Sequence, residues 1–261
     1  MRCECGRQGK GIRMSAWFLQ PPPQGGDFIV FGLPYAGTGA SSFGAWPRRI
    51  GAGWFCAVQP PGRENRLHEP VPASHQEFAE GLAEALAEAV HGNPGRPYAL
   101  LGHCGAVPYL LQTAGELEKQ GLPLPSRLFA SSWGAPDGGL YGPLNFVDLE
   151  TVDLVAEINA LCAAMGRSIA PELAEIAAET MQADLAVQRD YRYENTTRTS
   201  APVSVIGWTK DEVVPAEQAW AGWQRCAEAS WHVLEGDHWE LLRGPTELLD
   251  LIEREMTGEH R

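Results

Sequence analysis

The sequence predicts an α/β protein: a mainly parallel central sheet flanked by helices, with a helical insertion in its second half. Two observations lead to this prediction. Short apolar runs alternate along the chain with longer segments whose apolar residues recur at helical spacing. Residues 140–195 break that alternation, because they carry helical patterns and no clear strand. Alternation of this kind is typical of a three-layer α/β fold.

Six segments are predicted to be strands, because each is a short run of mostly apolar, often β-branched or aromatic residues. They are residues 28–33, 54–58, 98–101, 127–131, 203–208 and 231–234. Four further segments have the amphipathic spacing of helices. They are residues 74–90, 107–120, 217–228 and 246–256.

The stretch 140–195, called the lid below, contains two more helical patterns, at 152–165 and 171–191. A helical insertion between two strands of the sheet explains it, and two ordinary crossover helices are the alternative. Residues 15–261 are predicted to form one domain that carries this insertion. Residues 1–14 are predicted to be a disordered leader, since they carry charge and lack the apolar segment of a secretory signal.

The composition is that of an acidic globular chain. A formal net charge of −13 over 261 residues gives no general attraction for nucleic acid or for an anionic membrane surface. No apolar run approaches the roughly 18 residues of a spanning helix. The six cysteines are scattered, as expected for reduced thiols, and Cys3 and Cys5 lack a second ligand pair at zinc spacing. We therefore expect a cytoplasmic protein, monomeric by default, that uses no metal.

The most informative segment is the turn Gly-His-Cys-Gly-Ala at 102–106, which follows one predicted strand and leads into a predicted helix. This is the context of the nucleophile elbow G-x-S-x-G, with Cys104 in place of the serine and Ala106 in place of the last glycine. Small residues are needed because strand and helix approach closely around a strained nucleophile. The turn predicts an α/β-hydrolase fold with Cys104 as its nucleophile.

The position of Cys104 also suits a thiolate. Free N–H groups and the dipole at a helix N-terminus favour an anion and activate a thiol. A small buried core residue is the alternative interpretation of a single cysteine. The flanking His103 is interpreted as structural, because its side chain is expected to point away across the turn.

An enzyme of this kind needs an acid and a histidine later in the chain, in that order. Asp211 follows the fifth predicted strand, with Glu212 as its neighbour and rival, and His238 follows the sixth. The C-terminal ends of parallel strands are where such sites are built. We expect His238 to act as base or ion-pair partner for Cys104, and Asp211 to fix its tautomer. A helix cap at Asp211 and a solvated loop histidine are the alternatives.

Stabilisation of a tetrahedral oxyanion needs two backbone N–H groups. Gly105, directly after the nucleophile, is expected to supply one. The other should come from the loop after the first strand, residues 34–39, whose glycines permit a close approach of backbone to substrate. A plain turn between strand and helix is the alternative for this loop.

Further sequence motifs occur in chain order: FGLPYAG at 31–37, VQPPGREN at 58–65, SWGAP at 132–136, MQADL and YRY within 181–193, and GDH at 236–238. Together with the elbow they resemble the type II thioesterases of nonribosomal peptide and polyketide assembly lines, over residues 28–245. The resemblance implies that Ala36 supplies the second oxyanion N–H. It also implies a substrate held as a thioester on the phosphopantetheine arm of an acyl or peptidyl carrier protein, with no cofactor bound to the chain itself.

One departure from the family pattern concerns the nucleophile. The family carries G-H-S-M-G where this chain has G-H-C-G-A. A minority of relatives with an active-site cysteine is similar to aminoacyl shuttle transferases, which pass an aminoacyl group from one carrier protein to another. The resemblance therefore implies transfer of an acyl or aminoacyl group through Cys104.

The chemistry of sulfur and oxygen esters gives this departure a meaning. Transfer from a pantetheine thiol to a cysteine thiol is nearly isoenergetic and keeps the acyl group activated, whereas transfer to serine forms an oxygen ester and is downhill. A cysteine enzyme therefore suits onward transfer, provided that water is excluded. Hydrolysis of acyl groups from misloaded carriers is the second hypothesis, and a catalytically silent carrier-binding protein is the third.

Several aromatic residues near these segments are candidates for contact with substrate. Tyr35 and the tryptophans Trp133, Trp208 and Trp239 are expected to form pocket walls, with ordinary core positions as the alternative.

Charged residues near the site supply two further hypotheses. For an aminoacyl substrate, Asp237 or Glu212 is the candidate partner of the ammonium group. Arg63 is a candidate partner for the carrier's phosphate, with an exposed, solvated arginine as the alternative.

Overall fold

The computed structural model describes residues 16–92, 94–193 and 200–258. The predicted leader at 1–14, with Cys3 and Cys5, lies outside these ranges. Within them, strands and helices alternate around one sheet, as the spacing of apolar residues predicts.

Strands β1 to β7 form the sheet, in the order β2-β3-β1-β4-β5-β6-β7. Neighbouring strands are parallel, except that β2 is antiparallel to β3. This confirms the predicted fold class, a mainly parallel sheet of the α/β-hydrolase type. The strands are β1 Ile29–Leu33, β2 Arg49–Ile50, β3 Gly53–Ala57, β4 Tyr98–His103, β5 Arg127–Ser131, β6 Val203–Lys210 and β7 Ala229–Asp237.

The helices lie between and after these strands. Ser74 begins the first of them as a cap, since its side chain accepts a hydrogen bond from the Glu77 N–H at 3.1 Å. The α-helices are α1 His75–His91, α2 Ala106–Lys119, α3 Leu154–Ala164, α4 Pro171–Arg189, α5 Ala216–Trp220, α6 Trp223–Cys226, α7 Glu240–Arg243 and α8 Thr246–Thr257.

The middle of the sheet is buried on both faces. β1 and β4 consist entirely of buried residues, which is why their sequences are continuous apolar runs rather than alternating ones. Because β1 and β3 to β7 all run in the same direction, their C-terminal ends meet at one edge of the sheet. The segments that follow β1, β4, β5, β6 and β7 therefore converge there.

The structure departs from the predicted elements at three places. β2 has two residues and α7 has four, which is too short for a periodic pattern to mark. The predicted helix at 217–228 is two short helices, α5 and α6. It breaks because Ala221 is extended and Gly222 takes a φ of 100°.

The lid lies between β5 and β6, and α3 and α4 are its main elements. Asp153 caps α3 by accepting from the Ala156 N–H at 2.9 Å. The two helices pack on each other around an apolar cluster of their own, which favours an inserted lid over ordinary crossover helices. The cluster consists of Leu154, Ile158, Ala174, Ala178, Met181 and Leu185.

Among the described residues, none of the helices combines the length and the apolar character that a membrane span requires. No group of three or more histidine, cysteine, aspartate and glutamate side chains in the same ranges is arranged to hold a metal ion.

Candidate active site

Cys104 lies in the sharp turn between β4 and α2, where its φ is 50°. This left-handed backbone is strained for a residue with a side chain, and such strain is concentrated at functional sites. The Cys104 N–H donates to the Ser131 carbonyl at 2.8 Å, which holds the turn to the neighbouring strand. A Cβ on Gly102 would lie 3.1 Å from the Ala106 carbonyl oxygen, so glycine lets β4 and α2 approach each other.

The N-terminus of α2 faces this turn. Ala106 is the first residue of the helix, and Gly105 precedes it as the cap. A Cβ on Gly105 would overlap the side-chain amide of Gln188, which belongs to the lid helix α4. Glycine therefore leaves room for the Gln188 amide at the point where the nucleophile turn, the helix and the lid meet.

His238 directly follows β7 and is 4% exposed. Its Nδ1–H donates to the carboxylate of Asp211, with Nδ1 3.0 and 2.9 Å from the two oxygens, and Cys104 lines the same cavity as its ring. Burial alone lowers the pKa of His238, but Asp211 and Cys104 outweigh burial and raise this pKa to about 9. Protonation of His238 is therefore favoured at neutral pH.

Asp211 directly follows β6 and is held from several sides. Its Oδ1 accepts from the N–H groups of Val213 and Val214 at 2.9 and 2.8 Å, and its Oδ2 accepts from the Ser132 hydroxyl at 2.6 Å. Burial raises the pKa of Asp211, but the hydrogen bonds from His238, Ser132 and Val214 outweigh it and lower the pKa. The carboxylate therefore stays ionised and oriented toward His238.

The structure thus brings Cys104 together with the hydrogen-bonded pair of His238 and Asp211. Their roles in catalysis stay a prediction. Glu212, the rival of Asp211, is exposed and makes no hydrogen bond with this group.

The position of His103 in the turn predicts that its side chain points away from the site. This prediction is wrong. β4 continues to His103, so the side chain lies on a face of the sheet rather than across the turn. Its ring centroid is 4.6 Å from that of His238, and its Nδ1 is 3.1 Å from the Ser131 hydroxyl oxygen. Burial and the neighbouring His238 lower the pKa of His103. His103 is therefore a neutral ring that packs directly against His238.

The loop after β1 forms a tight turn beside Cys104. The Thr38 N–H donates to the Tyr35 carbonyl at 3.1 Å, and Gly37 between them has a φ of 74°. A left-handed glycine at the third position is typical of a type II turn. The Gly37 N–H donates to the carboxylate of Asp184 at 2.8 Å, so the turn is also bound to the lid.

The N–H groups of Ala36 and Gly105, which are predicted to meet the oxyanion, donate to no acceptor in the described part of the chain. Both residues line the same cavity as Cys104. The backbone at these positions is therefore available to a ligand in that cavity.

This cavity has a volume of about 110 Å³ and lies between the strand ends and the lid. Tyr35 and Trp239 lie in its wall, whereas Trp133 and Trp208 are core residues, so the predicted wall position is wrong for these two. The central parallel strands are buried on both faces, so their sequences are apolar throughout. The sequence around an aromatic residue at a strand end therefore looks the same whether the residue lies in the core or in a pocket wall. Further lining residues are Tyr141, Gly142, Pro143, Leu144, Asn145, Glu157, Leu161, Met181, Leu185, Gln188, Val213 and His238.

Arg63 is neither solvated nor free to meet a carrier's phosphate. It is 7% exposed, and its guanidinium donates to both carboxylate oxygens of Asp184 on α4, at 2.7 and 2.8 Å. It also donates to the Thr38 carbonyl at 3.1 Å. Both interpretations of this arginine were wrong because its partner lies in the lid, where a local sequence pattern gives no sign of it.

Neither predicted partner of a substrate ammonium lines the cavity. Asp237 accepts from the Trp239 N–H at 2.9 Å and faces Arg243, while Glu212 lies outside the wall. The carboxylate that does line the cavity belongs to Glu157, in the first turn of α3.

Sequence reasoning also missed residues that shape the site. Ser132 directly follows β5, at the same sheet edge as Asp211. This position at a strand end is the one feature of the sequence that could mark Ser132 as a site residue. Gln188 and the turn at 141–145 belong to the lid, and no local pattern shows how a lid docks on its sheet.

A larger cavity of about 380 Å³ lies on the other side of the loop after β1, below the lid helices. Its wall combines apolar side chains of α3 and α4 with small and polar residues of the loop after β1, and Arg63, Glu64 and Arg167 are its charged members. It shares Leu161 with the smaller cavity, but Cys104 does not line it.

Comparisons with known proteins cover nearly all of the described chain. A family model described as a thioesterase domain matches residues 28–256. Linear gramicidin dehydrogenase LgrE of Brevibacillus parabrevis is 27% identical, over 93% of this chain and 93% of its own. Gramicidin S biosynthesis protein GrsT of Aneurinibacillus migulanus is 28% identical, over 85% of this chain and 86% of its own. The solved structure of the RedJ thioesterase from the prodiginine biosynthetic pathway in Streptomyces coelicolor has a TM-score of 0.73 and 26% identity, covering 93% of this chain and 99% of that one.

Proposed function

The chain belongs to the thioesterase domain family, and from this premise we propose that it transfers acyl or aminoacyl groups between the phosphopantetheine thiols of carrier proteins. The group would travel as a thioester on Cys104. The observation that carries the proposal is the thiol of Cys104 in a strained elbow, in the wall of one cavity with a buried His238 that Asp211 orients.

The names of two relatives support the biological setting. GrsT and RedJ are named for the biosynthesis of gramicidin S and of prodiginine. These names describe those proteins. Together with the type II thioesterase motifs, they support a role for this chain in natural-product biosynthesis, where acyl groups are carried as thioesters on carrier proteins.

In the first half-reaction, the Cys104 sulfur attacks the carbonyl carbon of the carrier-bound thioester, after its proton has passed to His238. The negative charge that develops on the carbonyl oxygen is placed to meet the N–H groups of Ala36 and Gly105. Collapse of the intermediate breaks the bond to the pantetheine sulfur, and His238 returns the proton to that leaving thiolate. The products are an acyl thioester on Cys104 and a free carrier thiol.

In the second half-reaction, a different carrier's thiol gives its proton to His238 and attacks the acyl-Cys104 carbonyl. The Cys104 thiolate leaves and is reprotonated. One thioester bond forms as another breaks in each step, so the two steps have nearly equal free energies and the group stays activated. A serine nucleophile would instead form an oxygen ester, from which return to a thiol is uphill.

Hydrolysis of acyl groups from carriers, the editing activity, is the alternative fate of the same intermediate. Access of water decides between the two. The cavity beneath the lid is small, about 110 Å³, and leaves little room for water beside Cys104. It therefore supports transfer over hydrolysis. A silent carrier-binding protein, the third hypothesis, gives no reason for a strained cysteine in the same cavity wall as a buried imidazole.

The proposal includes an acyl or peptidyl carrier protein as partner and phosphopantetheine as a group of that partner rather than of this chain. We further propose that the protein is a cytoplasmic monomer and needs neither a metal nor a cofactor of its own.

Intact-protein mass spectrometry tests the covalent step. The protein is mixed with a carrier protein loaded with a short acyl group, and its mass is followed over time. The proposal predicts a mass gain equal to the acyl group, absent in Cys104→Ala and retained in Cys162→Ala, which removes a thiol from the wall of the larger cavity. A label that persists in Cys104→Ala would overturn the assignment.

A further inference from the structure

Gln188 brings a neutral amide from the lid helix α4 into the wall of the cavity at Cys104. The residue is 2% exposed, and its side-chain amide makes no hydrogen bond with any residue that the structure describes. Unlike the orphaned Oδ1 of Asn145, which solvent cannot reach, both amide atoms of Gln188 keep some accessible surface. Buried polar side chains are nearly always hydrogen-bonded, so an amide presented to a cavity in this state points to a ligand.

The other amide and hydroxyl side chains of the wall do not compete for this role. The Tyr141 hydroxyl donates to the Ala135 carbonyl at 3.0 Å, and the Asn145 Nδ2 donates to the Tyr141 carbonyl at 2.6 Å. The Tyr35 hydroxyl, like the Asn145 Oδ1, is sealed from solvent. Among the amide and hydroxyl side chains of the described wall residues, a ligand in the cavity therefore meets that of Gln188.

The amide lies beside the residue that follows the nucleophile. A Cβ on Gly105 would overlap the amide oxygen of Gln188 and lie 3.4 Å from its nitrogen. That Cβ position is two bonds from the Gly105 nitrogen, whose N–H is predicted to meet the carbonyl oxygen of the substrate. The amide therefore occupies the space that a side chain at position 105 would take, close to the first carbons of an acyl group on Cys104.

The chemistry of the amide indicates the kind of group that it binds. A glutamine amide offers an acceptor oxygen and a nitrogen with two donor hydrogens, and it carries no charge. A hydroxyl group both donates and accepts, so it pairs with either end of the amide. A hydroxyl also needs no counter-ion when the lid encloses it, whereas a buried charge does. The cavity, at about 110 Å³, is far smaller than the roughly 300–1,000 Å³ of pockets that hold drug-sized ligands, so the acyl group is short.

We propose that Gln188 is a specificity-determining residue, and that its amide binds a hydroxyl on carbon 2 or carbon 3 of a short acyl group carried by Cys104. The inference rests on the acyl transfer proposed above and deepens it by naming the substrate class, a 2- or 3-hydroxyacyl thioester. The hydroxyl takes no part in the making or breaking of bonds. The lid therefore contributes to recognition of the acyl group, while the nucleophile turn acts on its carbonyl.

Competition between two loaded carriers tests this. Carrier protein loaded with propionyl is mixed in equal amount with carrier loaded with racemic 2-hydroxypropionyl or with 3-hydroxypropionyl, and the two acyl masses on Cys104 are compared early in a single turnover. Gln188→Leu removes the amide and should lower the hydroxyacyl-to-propionyl ratio by about 2- to 10-fold for at least one hydroxyacyl group, the factor for one hydrogen bond between neutral groups. The intrinsic reactivities of the thioesters are the same for both proteins, so they cancel from this comparison.

Two further variants complete the test. Gln188→Met keeps the length of the side chain and should lower the ratio in the same way, so the inference stays testable if Gln188→Leu does not fold. Gln182→Leu is the matched control, because Gln182 lies on the same lid helix outside the cavity wall. Its ratio should equal that of the wild type, and an equal fall in this control would overturn the assignment to Gln188.

The outcomes separate this inference from the function on which it rests. A ratio that is the same in the wild type, Gln188→Leu and Gln188→Met, with Cys104 labelled in all three, would overturn the hydroxyl subsite and leave acyl transfer intact. A uniform slowing of every acyl group in the variants belongs to this outcome and would assign the amide to the pantetheine arm. If no loaded carrier labels Cys104 in the wild type, the proposed function fails and the subsite fails with it.

Discussion

The Arg63 guanidinium donates to both carboxylate oxygens of Asp184, at 2.7 and 2.8 Å, although the two residues are 121 positions apart. Asp184 belongs to the lid helix α4, and its Oδ2 also accepts from the Gly37 N–H. The pair therefore fastens the lid to the loop that carries Ala36. Through this contact the position of the lid is coupled to one of the two N–H groups that are predicted to meet the oxyanion.

Loss of one partner of this ion pair should destabilise the protein. Asp184→Asn leaves the Arg63 charge buried without a counter-ion, which typically costs about 3–5 kcal/mol. Urea unfolding measures this free energy. Asp190→Asn, at the exposed end of the same helix, is the control and should change it by less than about 0.5 kcal/mol.

The double replacement Arg63→Met with Asp184→Leu removes both charges. It should cost less than the sum of the two single changes, because no unpaired charge remains. A small effect of Asp184→Asn alone would contradict the buried ion pair.

Asp211→Asn should lower the pKa of His238 from its raised value of about 9, because it removes the negative charge that favours the imidazolium. The sign follows from charge alone: an anion raises a histidine pKa, and its removal lowers it. NMR titration of the His238 ring proton measures the change. The rate of Cys104 acylation should fall by roughly 10²- to 10⁴-fold, because the ring loses its orienting partner.

Glu212→Gln is the control for that experiment, since Glu212 is exposed and makes no hydrogen bond with the site. Its rate and His238 titration should match the wild type. An unchanged titration in Asp211→Asn would mean that Asp211 does not set the charge state of His238.

We expect the Ser132 hydroxyl to orient Asp211, while the Ser132 backbone is held in a strained conformation. Its φ is 51°, and its hydroxyl donates to Asp211 Oδ2 at 2.6 Å. Ser132→Ala keeps the strain and loses the hydrogen bond, whereas Ser132→Gly loses both. The glycine variant should therefore be about 1 kcal/mol more stable than the alanine variant in urea unfolding.

Both variants should slow acylation by the same factor, since both leave one carboxylate oxygen without its hydroxyl partner. A full rate in Ser132→Ala would show that the backbone N–H groups of Val213 and Val214 suffice to orient Asp211.

Gly105→Ala should displace the Gln188 side chain of the lid helix α4, because the added Cβ would overlap its amide. The expected result is slower acylation by at least about tenfold, since small displacements of reacting groups are costly. Gln188→Ala removes the obstructing amide and should restore most of the rate in the double variant. If Gly105→Ala slows the reaction and Gln188→Ala does not restore it, the added methyl group acts on the cavity that Gly105 lines and not through Gln188.

The sheet and the order of the site residues could be predicted because their signals are local. A strand that runs into small residues and then a helix marks Cys104 within a few positions. Asp211 and His238 each follow a strand, and parallel strands deliver their C-terminal ends to one edge. The fold therefore places three distant segments together once the strands are known.

The contacts of the lid could not be predicted in this way. Arg63 has the sequence surroundings of a surface arginine, and its burial depends on Asp184 in a separate element. Trp208 has the same sequence pattern in a core as in a pocket wall, since its strand is buried on both faces. Ser132 adopts a left-handed backbone that no residue-type preference indicates.

The central claim is that the group on Cys104 passes to a second carrier rather than to water. Wild-type protein carrying an acyl or aminoacyl label on Cys104 is freed of the donor carrier and mixed with a different, unloaded carrier, and intact masses are recorded over time. The account predicts that the label leaves Cys104 and moves to the second carrier faster than free acid is released. Release of free acid at the same rate with and without the second carrier would contradict transfer and make the protein a hydrolytic thioesterase.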